Sequence, residues 1–129
     1  MKILISDDDT QKFEILKDIV INLFPKAEVI RTVCAKDTII ELCNNNDFDF
    51  VIQDMFLPIN KNERVDIKGG LYTLNQMKFR NINTKVCICS SDYISYSFME
   101  VANFKHIPFI NFASSFLYDD LVEFFGLEN

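Results

Sequence analysis

Short apolar runs rich in β-branched residues alternate along this chain with longer segments of helical periodicity. The runs cover residues 2–6, 28–33, 48–53, 85–89 and 107–112. Continuous apolar strands that alternate strictly with helices are typical of a parallel sheet that is buried on both faces. The sequence therefore predicts an α/β fold, with a doubly wound sheet of five parallel strands in the order 2-1-3-4-5 covered by five helices.

The first predicted helix has the clearest boundaries. Asp9 or Thr10 can cap its start, and Pro25 ends it. Between these positions, apolar residues recur at spacings of three and four along one helical face: Phe13, Leu16, Val20, Leu23 and Phe24. Weaker patterns predict the other helices at residues 35–43, 71–80, 93–104 and 117–125.

Length and composition predict a single domain spanning residues 1–129. Apolar residues make up 49% of the chain, which is enough for one core. The 13 Lys and Arg against 19 Asp and Glu leave a net charge of −6, which argues against binding nucleic acid or an anionic membrane. The first apolar run ends after Ile5 and is too short for a signal peptide, so we expect a soluble cytoplasmic protein.

Acidic and hydroxyl side chains follow three of the predicted strands, at the sheet edge where doubly wound folds carry their sites. Asp7 and Asp8 follow the first strand, Asp54 follows the third and Ser90 follows the fourth. Because the first and third strands are neighbours in the predicted order, their carboxylates should converge on one pocket. Like charges at close range need a cation, and a hard divalent ion with oxygen ligands suits them. We therefore expect Mg²⁺ here and interpret Asp9 as a helix cap.

The order of these motifs resembles the receiver domain of bacterial two-component response regulators. The resemblance rests on residues 3–9 (ILISDDD), 54–58 (DMFLP) and 86–91 (VCICSS), and it extends over essentially the whole chain. It implies a flavodoxin-like, or CheY-like, sandwich of three layers.

The resemblance gives the strand-end residues specific roles. Asp54 matches the aspartate that accepts a phosphoryl group, and Ser90 matches a hydroxyl that hydrogen-bonds to that group. Asp7 and Asp8 match the acidic pair that holds Mg²⁺ together with Asp54, and the backbone carbonyl of Phe56 matches a further ligand. The implied function is Mg²⁺-dependent transfer of a phosphoryl group to Asp54. Such a domain is a signalling protein, with no enzymatic activity beyond its own phosphorylation and dephosphorylation.

The implied function requires two kinds of protein partner. The phosphoryl donor would be a sensor histidine kinase or a phosphotransfer protein in a phosphorelay. The output would be contact with a downstream protein, or with a second copy in a homodimer. Because the chain stops soon after the fifth predicted helix, we expect a stand-alone receiver domain with no DNA-binding domain attached.

The sequence lacks one residue that receiver domains normally carry. They end the fifth strand with a lysine that contacts the phosphoryl group, whereas the candidates for that position here are Asn111, Phe112 and Ser114. Lys105 lies at the opposite end of the predicted strand. We therefore expect a pocket without a lysine, more negative than usual and more dependent on Mg²⁺. Two interpretations stay open: a receiver that is phosphorylated, and a pseudo-receiver that binds partners without phosphorylation.

Two further features of the sequence each allow an alternative interpretation. Residues 59–68 form a charged insertion after the predicted phosphorylation site, interpreted as a solvated loop, with a partner-docking loop or lid as the alternative. The segment from Asp7 to Asp9 also resembles the Asp-x-Asp motif of haloacid dehalogenase-like phosphatases. That interpretation is weaker, because Gln11 stands where those enzymes have Thr or Val and because it leaves Asp54 unexplained.

Overall fold

The structure, a computed structural model, describes residues 1–92 and 94–127 as seven strands and five helices. The strands are β1 (Lys2–Ser6), β2 (Glu28–Thr32), β3 (Phe50–Gln53), β4 (Leu57–Pro58), β5 (Val65–Asp66), β6 (Lys85–Ser90) and β7 (Phe109–Asn111). The helices are α1 (Thr10–Leu23), α2 (Ala35–Asn44), α3 (Gly69–Phe79), α4 (Ile94–Val101) and α5 (Leu117–Phe124). Within the described residues, none of these helices has the length and apolar character needed to cross a membrane.

The main sheet has the predicted strand order. Its five strands are all parallel and lie in the order β2-β1-β3-β6-β7, which is 2-1-3-4-5 when only the strands of this sheet are counted. Ser6 is paired with Gln53, and Gln53 with Ile88. The chain therefore leaves β1 and β3 at the same level, which sets the residues that follow them side by side.

Alternate residues of each strand pack into two separate cores, one on each face of the sheet. Leu4, Val51 and Ile88 contribute to the core under α2, α3 and α4. Ile3 and Ile52 contribute to the core under α1 and α5. This division follows from the two-residue repeat of side-chain direction in a strand. The predicted three-layer sandwich is confirmed.

Helix α4 is shorter than the sequence predicts. The predicted helix ran from 93 to 104; its first residue, Tyr93, lies outside the described residues, and the helix ends at Val101. Asn103 adopts a φ of 64°, and the N–H of Phe104 donates to the carbonyl of Met99 at 2.8 Å. This left-handed residue and six-to-one hydrogen bond form a Schellman motif, which terminates a helix however apolar the following residues are.

The insertion at residues 59–68 contributes to a small hairpin instead of an irregular loop. Leu57 pairs with Asp66 and Pro58 with Val65 in an antiparallel ribbon that is separate from the main sheet. Asn62 lies between the two strands with a φ of 65°, a conformation that asparagine tolerates better than most residues. The hairpin therefore begins in the segment that follows β3, and the inserted residues form its turn and its second strand.

Candidate functional site

Three carboxylates meet at the edge of the sheet where β1 and β3 end. Asp7, Asp8 and Asp54 each offer an oxygen atom within 4.8 Å of the others. The N–H of Asp54 donates to the carbonyl of Ser6 at 2.9 Å, and that of Asp7 donates to the carbonyl of Thr32 at 3.0 Å. These bonds extend the strand ladders past the end of each strand and fix where the side chains begin. The structure thus brings together the three acidic residues that the sequence singled out.

Lys12 of α1 reaches into the same cluster. Its Nζ lies 2.9 Å from Asp7 Oδ2 and 3.0 Å from Asp54 Oδ1, and it donates to the backbone carbonyl of Cys89 at 2.6 Å. The N-cap Asp9 accepts a hydrogen bond from the N–H of Lys12 at 3.1 Å, which confirms the predicted cap and fixes the first turn of the helix. Lys12 is only 8% exposed, so the contacts of its ammonium group are shielded from water.

The expectation of a pocket without a lysine is therefore wrong. The cation comes from α1 and not from the end of the fifth predicted strand. Of the three candidate positions for the family lysine, Phe112 lies at the site, with its ring centroid 5.4 Å from Lys12 Nζ. Asn111 and Ser114 accept hydrogen bonds from the N–H groups of Ala113 and Phe116 and stabilise local turns.

Burial shifts the ionisation of the clustered groups. It raises the pKa of Asp54 to about 6; Asp7 adds to this shift, and Lys12 opposes it. Burial also raises the pKa of Asp7 and of Asp8 above its ordinary value. Burial alone would lower the pKa of Lys12, but Asp54 and Asp7 outweigh it and raise that pKa. At neutral pH Lys12 therefore carries its positive charge, and Asp54, with a pKa of about 6, is mostly ionised.

Two of the predicted site residues have other contacts in the structure. Ser90 is buried at the end of β6; its Oγ lies 3.0 Å from Ser95 Oγ and accepts a hydrogen bond from the N–H of Asp92 at 3.3 Å. Within the described residues no hydrogen bond joins it to a carboxylate of the cluster. The side chain of Phe56 packs partly buried against the core under α2, α3 and α4. Its role through the backbone carbonyl stays a prediction.

Sequence reasoning also missed the residues that hold the backbone around Asp54. Gln53 Nε2 donates to the carbonyl of Asp54 at 2.8 Å, and the N–H of Gly70 donates to that of Met55 at 2.8 Å. A Cβ at Gly70 would lie 2.5 Å from the carbonyl oxygen of Asp54, so only glycine fits there. The available signal was Gly69-Gly70, two of the three glycines in the chain, directly after the insertion.

Comparison with known proteins gives one curated relative and many similar structures. No protein-family model matches the sequence. The Detocs response regulatory protein DtcB of Enterobacter cloacae (strain JD6301) is 28% identical over 95 residues, a match that covers 68% of this chain. It covers 63% of DtcB, so the chain spans less than two thirds of that relative.

Solved structures of response regulators match nearly the whole chain. The receiver domain of Francisella response regulator 1452 superposes with a TM-score of 0.68 at 21% identity and covers 97% of this chain and 93% of its own. The bacteriophytochrome response regulator AtBRR gives a TM-score of 0.75 at 16% identity, with coverage of 99% and 94%. The chain has the receiver-domain fold. The fold predicted from the strand-end motifs is confirmed, and the acidic cluster lies at the edge of the receiver sheet where doubly wound folds bind their ligands.

Proposed function

We propose that this chain is a response-regulator receiver domain that accepts a phosphoryl group on Asp54. The observation that carries the proposal is the position of the Asp54 carboxylate, which is 7% exposed beside Asp7 and Asp8 with an ammonium 3.0 Å away. A carboxylate in such a cluster is ionised at neutral pH, yet it is more basic than an ordinary aspartate because its pKa is about 6. Both properties suit a nucleophile.

The proposed reaction is an in-line displacement at phosphorus. An Asp54 carboxylate oxygen forms a bond to phosphorus as the phosphorus–nitrogen bond of a phosphohistidine breaks, on a sensor histidine kinase or a phosphotransfer protein. With a small acyl phosphate as donor, the phosphorus–oxygen bond to the acyl group breaks instead. Either reaction leaves an acyl phosphate on Asp54 and adds nearly two negative charges to the pocket.

The residues of the pocket fit a bound Mg²⁺. Asp7, Asp8 and Asp54 offer carboxylate oxygens, and the carbonyl of Phe56 is the further ligand that the receiver resemblance implies. Asp7 Oδ2 is buried and has no hydrogen-bond donor among the described residues; its contact with Lys12 is an ion pair without hydrogen-bond geometry. When bound, Mg²⁺ supplies positive charge that offsets the charge on the phosphoryl oxygens.

The proposed output is a change in the surface next to α4. Ser90 holds Ser95 in the first turn of that helix through their hydroxyls, 3.0 Å apart. If the Ser90 hydroxyl turns to hydrogen-bond to a phosphoryl group on Asp54, it leaves Ser95, and the loop between β6 and α4 repacks. A downstream protein, or a second copy of the chain, then reads the changed surface.

Labelling with a small acyl phosphate tests the proposal. We expect incubation with Mg²⁺ and acetyl phosphate to add one phosphate to the intact protein, measured as a mass shift, and Asp54→Asn to remove that shift. Asp18→Asn, which changes the same charge at an exposed position of α1, is the matched control and should label like the wild type. No shift under conditions that label other receiver domains contradicts the proposal. Continuous release of phosphate would instead support the haloacid dehalogenase-like alternative.

Binding of Mg²⁺ has a separate test in thermal stability. A ligand that binds only the folded state at ten times its dissociation constant adds about 1.4 kcal/mol. We therefore expect Mg²⁺ to raise the melting temperature of the wild type and of Asp18→Asn by several degrees. Asp7→Asn, which removes a buried ligand, should lose the response. An equal rise in Asp7→Asn would show that the ion binds elsewhere.

The ion pairs of Lys12 favour a second candidate function, a pseudo-receiver that binds partners without phosphorylation. An ammonium 2.9 Å from Asp7 and 3.0 Å from Asp54 already offsets two buried carboxylates. A pocket neutralised in this way can persist without Mg²⁺ or a phosphoryl group. The two functions separate in the experiments above, because a pseudo-receiver shows neither the mass shift nor the Mg²⁺-dependent rise in melting temperature.

A further inference from the structure

We infer that Lys12 is a catalytic residue that binds the phosphoryl group accepted by Asp54, in place of the lysine that is missing after β7. This inference rests on the proposed function and assigns the cation of that site to α1. Lys12 Nζ lies 3.0 Å from Asp54 Oδ1 and donates a hydrogen bond to it. A phosphoryl group bonded to this carboxylate has its oxygens within reach of the same ammonium.

The ammonium is held so that one contact can change while the others remain. Among the described residues, it donates hydrogen bonds to Asp54 and to the backbone of Cys89 and forms an ion pair with Asp7. The Cys89 carbonyl belongs to β6 and cannot leave without breaking the sheet. When Asp54 is phosphorylated, its contact with the ammonium can pass to a phosphoryl oxygen, and Cys89 and Asp7 keep Lys12 in place. Charge-assisted hydrogen bonds of this kind are the strong ones.

The position of Lys12 is unfavourable for a residue with only a structural role. It lies in the first turn of α1, where the positive end of the helix dipole opposes a cation. It is also 8% exposed, and the cost of removing two charges from water often makes a buried ion pair no more stable than an apolar replacement. A lysine that is both buried and placed against the dipole is better explained by the chemistry of the carboxylates it contacts.

The same point in the pocket can be reached from β7. Phe112 follows β7 directly, and its ring centroid lies 5.4 Å from Lys12 Nζ. Phe112 and Ile110 belong to the core under α1 and α5, so β7 and α1 share this face of the sheet. A lysine at position 112 can therefore bring its ammonium near the same site from β7. The chain thus offers a test in which the cation is removed from α1 and returned from β7.

The experiment compares Lys12→Met, Lys12→Arg and the double variant Lys12→Met/Phe112→Lys at Mg²⁺ concentrations that saturate each protein. The rate of labelling by acetyl phosphate is measured by intact mass, and the affinity for beryllofluoride, a phosphoryl mimic, by thermal shift. Losing a charge-assisted contact should reduce both about ten- to a hundredfold in Lys12→Met. We expect Lys12→Arg to fall between the wild type and Lys12→Met, and the double variant to recover at least part of the loss.

The controls separate this inference from the proposed function. Lys17→Met, on the same helix but outside the cluster, should label like the wild type. If folded Lys12→Met labels and binds beryllofluoride as the wild type does, the inference is overturned while the proposed function stands. If the wild type itself does not label, the proposed function fails first. Should Lys12→Met not fold, Lys12→Gln takes its place, and a wild-type labelling rate in Lys12→Gln overturns the inference.

Discussion

Replacing Asp54 with Asn is expected to stabilise the metal-free protein by up to about 3 kcal/mol at pH 8 and by about half of that at pH 5. Asp54 is 7% exposed, and burial, with a contribution from Asp7, raises its pKa to about 6 from an ordinary value of 3.8. A raised pKa means that the ionised carboxylate is less stable in the folded protein than in the unfolded chain. The amide has nearly the same shape and carries no charge.

The sign of the pH dependence follows from the direction of this shift. Well below pH 3.8 Asp54 is protonated in both states and contributes no difference. As the pH rises from about 4 to 6, the unfolded chain releases the proton first, so the free energy of unfolding falls. Well above pH 6 the full penalty is present and constant. The wild type should therefore lose stability between pH 4 and pH 6 from this group, and Asp54→Asn should remove that dependence.

Urea denaturation of the metal-free protein between pH 5 and pH 8 measures the effect. Asp18→Asn is again the control, because it removes one negative charge from the exposed side of α1. Its stability relative to the wild type should change little over this range. A different result is that Asp54→Asn is no more stable than the wild type at pH 8. It would mean that Lys12 fully offsets the free-energy cost of burying the ionised Asp54 carboxylate. Added Mg²⁺ should narrow the gap, because it stabilises the wild type.

The sheet and the acidic cluster could be predicted because both depend on residues that are neighbours in the sequence or that end adjacent strands. Each apolar run fixes a strand, and the alternation with helices fixes parallel order. Asp7 and Asp54 directly follow β1 and β3, which are paired in the sheet, so their convergence follows from strand order alone. No helix geometry is needed to place them.

Lys12 could not be placed by the same reasoning. Its backbone is in α1, and the direction of a long side chain on a helix depends on how that helix packs on the sheet. The sequence shows a lysine in the first turn after a cap, which by itself is an ordinary solvated residue. Only the packing of α1 against its face of the sheet brings the Lys12 Nζ to Cys89 and Asp54.

The hairpin and the end of α4 were missed for local reasons. Strands β4 and β5 have two residues each and pair only with each other, so no apolar alternation marks them. In α4 the helical pattern continues in sequence past the residue where the helix ends. Asn103 ends it through a left-handed backbone conformation, and asparagine is only a weak signal for that conformation.

Replacing Gly70 with Ala is expected to destabilise the fold by about 1–3 kcal/mol and to slow phosphoryl labelling of Asp54 at least tenfold. The added Cβ would lie 2.5 Å from the Asp54 carbonyl oxygen and 2.8 Å from the Met55 Cα. Both are backbone atoms, so no side-chain rotation relieves the contact. Alanine also gains up to about 1 kcal/mol of helix propensity over glycine, which is too small to offset the overlap. The start of α3 must therefore withdraw from the segment that carries Asp54.

Gly126→Ala distinguishes displacement of Asp54 from a general loss of stability. Gly126 has a φ of 75°, and among the described residues no atom lies within 4 Å of the point that an added methyl group would occupy. Alanine there costs about 1–2 kcal/mol through backbone strain alone. Gly126 follows α5 and lies outside the carboxylate cluster.

Compared at a temperature where both variants are fully folded, Gly126→Ala should label at the wild-type rate and Gly70→Ala should not. Equal labelling in the two would mean that the position of Asp54 does not depend on the close approach of α3.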